Sequence, residues 1–163
     1  LDLLCERLDI MVTPWHGDIS ASKKKRFLNQ PGGCVLITPE SLEALLMNYG
    51  TQIKGLFASL AFCVVDELHA YMGTERGKQL QSLLHRLEIS INKKVPRIGL
   101  SATLGDMTMA AEFIRPGAAD GIDIINSNSK HYSWVIKIRP GIFLSPKKSV
   151  SQCLMTGSRK IYS

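Results

Sequence analysis

Two adjacent carboxylates, Asp66 and Glu67, follow directly on the apolar run Ala61-Phe-Cys-Val-Val65, and His69 stands two residues further on. A short apolar run of this kind reads as a buried strand, so the two acids come at its carboxyl end. Nucleotide hydrolysis asks for such a pairing. One carboxylate holds the magnesium that bridges the phosphates, and the other orients and deprotonates the attacking water. A strand terminus leaves both side chains little freedom, which lowers the cost of positioning them. Read alone, the pair describes a solvated turn equally well. Glu67-Leu-His69 is not HExxH, so zinc-protease chemistry fails on spacing.

Two further strand ends carry polar residues. Ser101-Ala-Thr103 follows the run Arg97-Ile-Gly-Leu100. Its small hydroxyls suit hydrogen bonds to carboxylates or phosphates, or a plain helix cap. Thr38-Pro39-Glu40 follows Cys34-Val-Leu-Ile37, itself preceded by Gly32 and Gly33. Pro39 opens a helix, and the free N–H groups of a helix start suit a backbone phosphate; the cap reading holds there too.

The elements that must position these residues alternate. Strands are expected at Ile10 to Thr13, Cys34 to Thr38, Leu60 to Val65, Arg97 to Leu100 and Ile122 to Ile125. Helices are expected over Ser20–Asn29, Pro39–Tyr49, Thr74–Ile89 and Asp106–Ile114. In the third, Leu80, Leu83, Leu84 and Leu87 recur at helical spacing. Such alternation predicts an α/β fold built on a parallel sheet. Ligands of these sheets bind just past the carboxyl ends of the strands, where the polar residues above are expected.

The order GG, TPESL, VVDELH, GLSATL resembles the first RecA-like domain of superfamily 2 helicases of the DEAD/DEAH-box type. The pieces match that family's motifs Ib, II and III, in order, between about residues 16 and 117. The DELH form is similar to the DExH branch, and the chain resembles the large Lhr-like members. The resemblance implies ATP and Mg2+ as cofactors and DNA or RNA as partner. It implies that Asp66 holds magnesium through water and that Glu67 is the catalytic base. His69 would link the nucleotide site to motif III or to a second RecA-like domain in the parent chain, and Ser101 and Thr103 would couple hydrolysis to strand movement. Gly32, Gly33, Thr38, Pro39 and Glu40 would lie along the nucleic acid. His16-Gly17-Asp18 stands where related helicases carry a strand-end loop, with a less defined role.

The departures from the family are as informative. No GxxxxGK[ST] phosphate loop occurs in the 163 residues. The chain begins at Leu1 inside a helical pattern, so it is read as a piece of a longer protein: an incomplete RecA-like P-loop NTPase domain over 1–125, with the phosphate-loop strand missing. Residues 126–163, rich in Ser, Lys and Gly, read as a linker or the start of a next domain. On its own the chain is expected not to hydrolyse ATP. Two alternatives share these motifs: the motor subunit of a restriction or defence system, and a non-enzymatic remnant that binds nucleic acid.

Composition is compatible with all three. With 45% hydrophobic residues the chain can bury a core, which excludes the disordered class. A net charge of +6 suits a polyanionic partner. The run Lys23-Lys24-Lys25-Arg26 reads as a solvated helix face in preference to a strand contact. His16 and His85 read as surface or structural histidines. Cys5, Cys34, Cys63 and Cys153 form no CxxC pair and read as reduced thiols. No apolar run is long enough to span a membrane, and a cytoplasmic location is expected.

Overall fold

The computed structural model describes residues 9–101 and 105–125, together with the backbone of two further strands at 134–138 and 152–156. In chain order the elements are β1 (Val12–Trp15), α1 (Ala21–Asn29), β2 (Cys34–Ile37), α2 (Pro39–Asn48), the short α3 (Ile53–Leu56) and β3 (Leu60–Val65). A 3-10 turn (Leu68–Ala70) leads to α4 (Glu75–Ile91), β4 (Arg97–Ser101), α5 (Met107–Ile114) and β5 (Ile122–Ile125). The backbone-only strands are β6 (Trp134–Ile138) and β7 (Gln152–Thr156).

Local chemistry accounts for most boundaries. Thr74 caps α4 by accepting the Gly77 N–H, and Asp106 caps α5 by accepting from Thr108 and Met109. Asn92 closes α4 in the left-handed conformation that asparagine tolerates. The first strand lies two residues later than the expected Ile10 to Thr13 and takes in Pro14. A proline is admitted there since β1 is the edge of the sheet, where its missing N–H breaks no ladder bond.

Among the described residues, seven strands form one sheet in the order β1-β2-β7-β3-β4-β6-β5. Strands β1, β2, β7, β3 and β4 are parallel, and β6 runs against β4 and β5. The sheet thus extends past residue 125, where the sequence pattern suggests a linker or next domain. The physical reason lies in the backbone. Strands β2 and β3 are not adjacent, and the gap between them is filled by β7, which pairs with both. Isolated inner edges would leave a row of buried N–H and C=O groups unpaired. The segment Gln152–Thr156 shows too weak an alternation to be picked out by pattern alone.

Above this sheet the core gathers Trp15, Phe27, Leu42, Phe57, Leu80 and Leu83 with their neighbours. Trp15 and Phe27 meet edge to face, with ring centroids 5.4 Å apart, which docks α1 onto β1. Cys34 and Cys63 are buried in β2 and β3 and are not disulfide-bonded. Burial pushes the Cys63 thiol up to about 12, so it stays protonated and inert. Among the described residues no helix is long and apolar enough to cross a membrane.

One buried polar cluster secures the amino end of β4. Glu88 accepts from Arg97 Nη2 at 2.9 Å, from Arg115 Nη1 at 3.0 Å and from the Val95 N–H at 2.9 Å. Arg97 also donates to the Ile114 carbonyl, and Arg115 to the Val95 carbonyl. The Arg97 and Glu88 side chains are only 4% and 10% exposed, so a missing partner would strand a charge in a dry setting. Burial raises the Glu88 carboxyl, but the Val95 N–H and the two guanidiniums outweigh it and hold the group below its ordinary 4.5. The contribution is therefore present above that value and is lost as pH falls below it. Glu88→Gln is expected to destabilise the fold by about 3 kcal/mol or more, read as a lowered urea midpoint. The variant should also lose part of the acid dependence of stability; an unchanged midpoint would show that the cluster is dispensable.

Candidate functional site

Parallel pairing brings five strands into one rank near their carboxyl ends. Trp15 pairs with Ile37, Ile37 and Val65 both flank Thr156, and Val65 pairs with Gly99, so these residues form one rank across the sheet. The next residue of each outer strand then emerges at the same edge. His16, Thr38 and Asp66 stand in line there, with Ser101 two residues beyond Gly99. Neighbouring strands lie about 4.8 Å apart, so Thr38 and Asp66 are separated by roughly 10 Å across β7.

The carboxylate pair sits on an unusual turn. Glu67 has φ 51° and ψ 47°, the left-handed conformation, which costs a non-glycine residue about 1–2 kcal/mol. Its own N–H donates to Asp66 Oδ1 at 3.0 Å, and its carbonyl accepts from the Ala70 N–H at 2.8 Å. Leu68, fully buried, anchors the 3-10 turn. A Cβ on Gly99 would lie 2.9 Å from Leu68 Cδ2 and 3.0 Å from Ile114 Cδ1. The glycine in Gly99-Leu-Ser101 therefore lets that turn pack close on β4.

That close packing brings the ends of β3 and β4 into contact. His69 Nδ1 lies 2.8 Å from Ser101 Oγ and 3.4 Å from Glu67 Oε2. Which partner donates depends on the imidazole tautomer. A protonated Nδ1 donates to Ser101, with the Glu67 carboxylate alongside, and an unprotonated one accepts the Ser101 hydroxyl proton. Ser101 is buried, while Asp66 is exposed and Glu67 half-buried. The structure thus joins Asp66, Glu67, His69 and Ser101 in one place. Thr103 lies outside the described residues.

Magnesium chemistry is compatible with this donor set. Among the described residues no three His, Cys, Asp or Glu side chains converge on one point. Magnesium needs no such cage, since it keeps several waters and takes one or two carboxylates besides substrate phosphates. An exposed Asp66 at a strand end meets that requirement.

Thr38 caps α2 by accepting the Ser41 N–H at 3.3 Å, and Pro39 occupies the first helical position. Glu40 is engaged by Arg76 of α4 through two bonds, Nε–Oε1 at 2.7 Å and Nη2–Oε2 at 3.2 Å. The hydrogen bond from Arg76 is the main cause that lowers the Glu40 carboxyl from 4.5 to about 2. Any stabilisation from this pair is present above 4.5 and is lost as pH falls toward 2; both groups are well exposed, so it is small. Arg76 carries no motif and stands 36 residues from Glu40, so no local signal in the sequence marks it.

Gly32 and Gly33 are placed elsewhere. They precede β2 and so lie at the opposite edge of the sheet from Thr38 and Glu40. Gly33 has φ +72°, and a Cβ there would come within 2.1 Å of the Met11 carbonyl oxygen. Its glycine is explained by the tight entry to β2. His16-Gly17-Asp18, by contrast, follows β1 at the same edge as Thr38 and Asp66. Lys23, Lys25 and Arg26 are exposed on α1, as a solvated face requires.

Known proteins resemble this chain in sequence and in fold. Residues 2–111 match the family described as DEAD/DEAH box helicase. The chain is 36% identical to the ATP-dependent helicase Lhr-Core of Methanocaldococcus jannaschii over 94% of its length, covering 18% of that protein. It is 26% identical to the Lhr helicase/uracil glycosylase of Escherichia coli over 83% of its length, covering 8% of that protein. In three dimensions it is similar to Mycobacterium smegmatis helicase Lhr bound to ssDNA and AMP-PNP. The TM-score is 0.60 at 30% identity, over 71% of this chain and 15% of that one. The chain thus spans less than a fifth of the length of these relatives. The matched residues include His16, Thr38, Ser101 and the acidic turn between β3 and α4, and the chain belongs to the DEAD/DEAH box helicase family.

Proposed function

We propose that this chain forms part of the first motor domain of an ATP-dependent helicase or translocase of the Lhr type, acting on DNA or RNA. The observation that carries the reading is the contact of His69 with both Glu67 and Ser101 at the carboxyl edge. It joins a candidate base to the end of the next strand, as coupling of hydrolysis to movement requires. The mycobacterial helicase holds single-stranded DNA and AMP-PNP, which supports the partner and the nucleotide.

In this reading Asp66 would hold a magnesium ion through water, and the ion would supply charge neutralisation at the phosphates. Glu67 accepts the proton of the attacking water. Its backbone is held in the left-handed conformation, and local strain of this kind is concentrated at functional turns. His69 holds Glu67 against Ser101, so a displacement of either strand end is felt at the base. Thr38 and Pro39 present the start of α2 to a phosphate of the nucleic-acid backbone. His16-Gly17-Asp18 extends the same edge, whereas Gly32 and Gly33 serve the turn behind it.

The chain of 163 residues is expected to release no phosphate from ATP in a malachite-green assay, since no phosphate loop is within it. The full gene product containing the chain should show phosphate release stimulated by single-stranded nucleic acid. Glu67→Gln there should lower the rate about 10²–10⁴-fold, the usual worth of a general base. A rate unaffected by that change would remove Glu67 from the reaction. Replacing Lys23, Lys24, Lys25 and Arg26 by alanine should leave the salt dependence of nucleic-acid binding unaltered. A log–log slope flattened by about 2 or more would instead place α1 on the phosphate track.

A further inference from the structure

Among the polar contacts that join helices α2 and α4, two share one offset, and Arg86 also reaches Glu43 at 4.0 Å. Glu40 meets Arg76, and Glu43 accepts from Gln79 Nε2 at 2.7 Å; each pair is 36 residues apart. The three-residue step on both helices marks facing ridges of helices that run in the same direction. The Glu40–Arg76 contact sits at the first turn of each helix, and Glu43–Gln79 lies one turn further on. The first turn of α2 follows Thr38, and the first turn of α4 follows the acidic loop at Asp66 and Glu67.

Arg76 also touches the acidic loop's continuation. Its guanidinium lies 5.4 Å from the centroid of the Tyr71 ring, within cation–π range. Tyr71 is fully buried and ends the 3-10 turn that begins one residue after Glu67. Its carbonyl accepts the Thr74 hydroxyl at 2.8 Å, and a Cβ on Gly77 would come within 1.9 Å of the same oxygen. The turn is therefore packed tightly against the start of α4, and a shift of that helix start moves Tyr71 with it. One guanidinium is shared between a carboxylate beside the proposed phosphate contact and the segment that carries the proposed base.

We propose that Arg76 is a positioning residue that couples nucleic-acid binding at the start of α2 to the setting of the Asp66–Glu67 loop. The proposal rests on the motor reading above. Without Arg76, the Glu40 carboxylate would repel a phosphate arriving at Thr38. With it, the phosphate meets a neutralised site and competes with Glu40 for the same fork of N–H donors. The resulting change in the Arg76–Glu40 contact is passed to Tyr71 and so to the acidic turn. Lysine could supply the charge but neither the two-pronged bond nor the flat stacking surface.

The test uses the full gene product and follows phosphate release against the concentration of single-stranded DNA. Two quantities are read: the ratio of stimulated to basal rate, and the DNA concentration for half-stimulation. Arg76→Ala is expected to lower the ratio at least about 5-fold, the small end of allosteric coupling, and to raise the half-stimulating concentration. Adding Glu40→Gln to Arg76→Ala should restore the half-stimulating concentration, since the repelling charge is gone, but not the ratio. Arg76→Lys should keep the affinity and lose the ratio, which covers the case in which the alanine variant fails to fold. A stimulated native protein with an equally stimulated Arg76→Ala overturns the coupling alone. Recovery of both quantities in the double variant also overturns it, since Arg76 would then act by charge only. A native protein that nucleic acid does not stimulate overturns the motor reading, and the coupling with it.

Discussion

Parallel hydrogen bonding among β1, β2, β7, β3 and β4 is the constraint on which the rest of the structure depends. Each ladder fixes its neighbour's register to the residue, because a slip by one would turn buried side chains outward. Trp15, Ile37, Val65 and Gly99 are buried and share one rank, so the residues after them must leave the sheet at one edge. Polar groups distant in sequence are brought to that edge by the ladders. The same rule carries Gly32 and Gly33 to the far edge, although they stand only five or six residues before Thr38.

Within that frame, short-range packing refines what the edge can do. Gly99 admits Leu68, and Leu68 draws the 3-10 turn onto β4, so His69 reaches Ser101. The strain at Glu67 is sustained because the turn is bound on both sides, by the Asp66 carboxylate and by the Ala70 N–H. A left-handed glutamate in a loose loop would relax into a cheaper conformation.

Two charged clusters divide the stabilising work by depth. Glu88 with Arg97 and Arg115 is dry, and it ties the end of α4 to the amino end of β4 and the last turn of α5. Ser101, at the other end of β4, inherits its position from that anchorage. Glu40 with Arg76 is wet and contributes little to folding, yet it sits at the junction of the two helix starts nearest the carboxyl edge. Charge pairs of low energetic worth in such a place are free to exchange partners, which a buried cluster is not.

The sequence by itself determined the alternation of strands and helices, the carboxylates after β3, the hydroxyls of Thr38 after β2 and of Ser101 at the end of β4, and the family. Strand β3 came out at its true limits, and α4 and α5 to within two residues, because apolar spacing and caps such as Thr74 and Asp106 are local signals. Only the tertiary structure decided that β7 lies between β2 and β3, that Gly33 serves a turn, and that Glu67 is left-handed. It alone brought Arg76 to Glu40 and gathered Glu88 with its two arginines. The physical reason is range. Periodicity and capping act over three or four residues and are written in the chain. Strand order and side-chain pairs some nine to 36 residues apart follow from which surfaces can be buried together, and no single stretch of sequence carries that information.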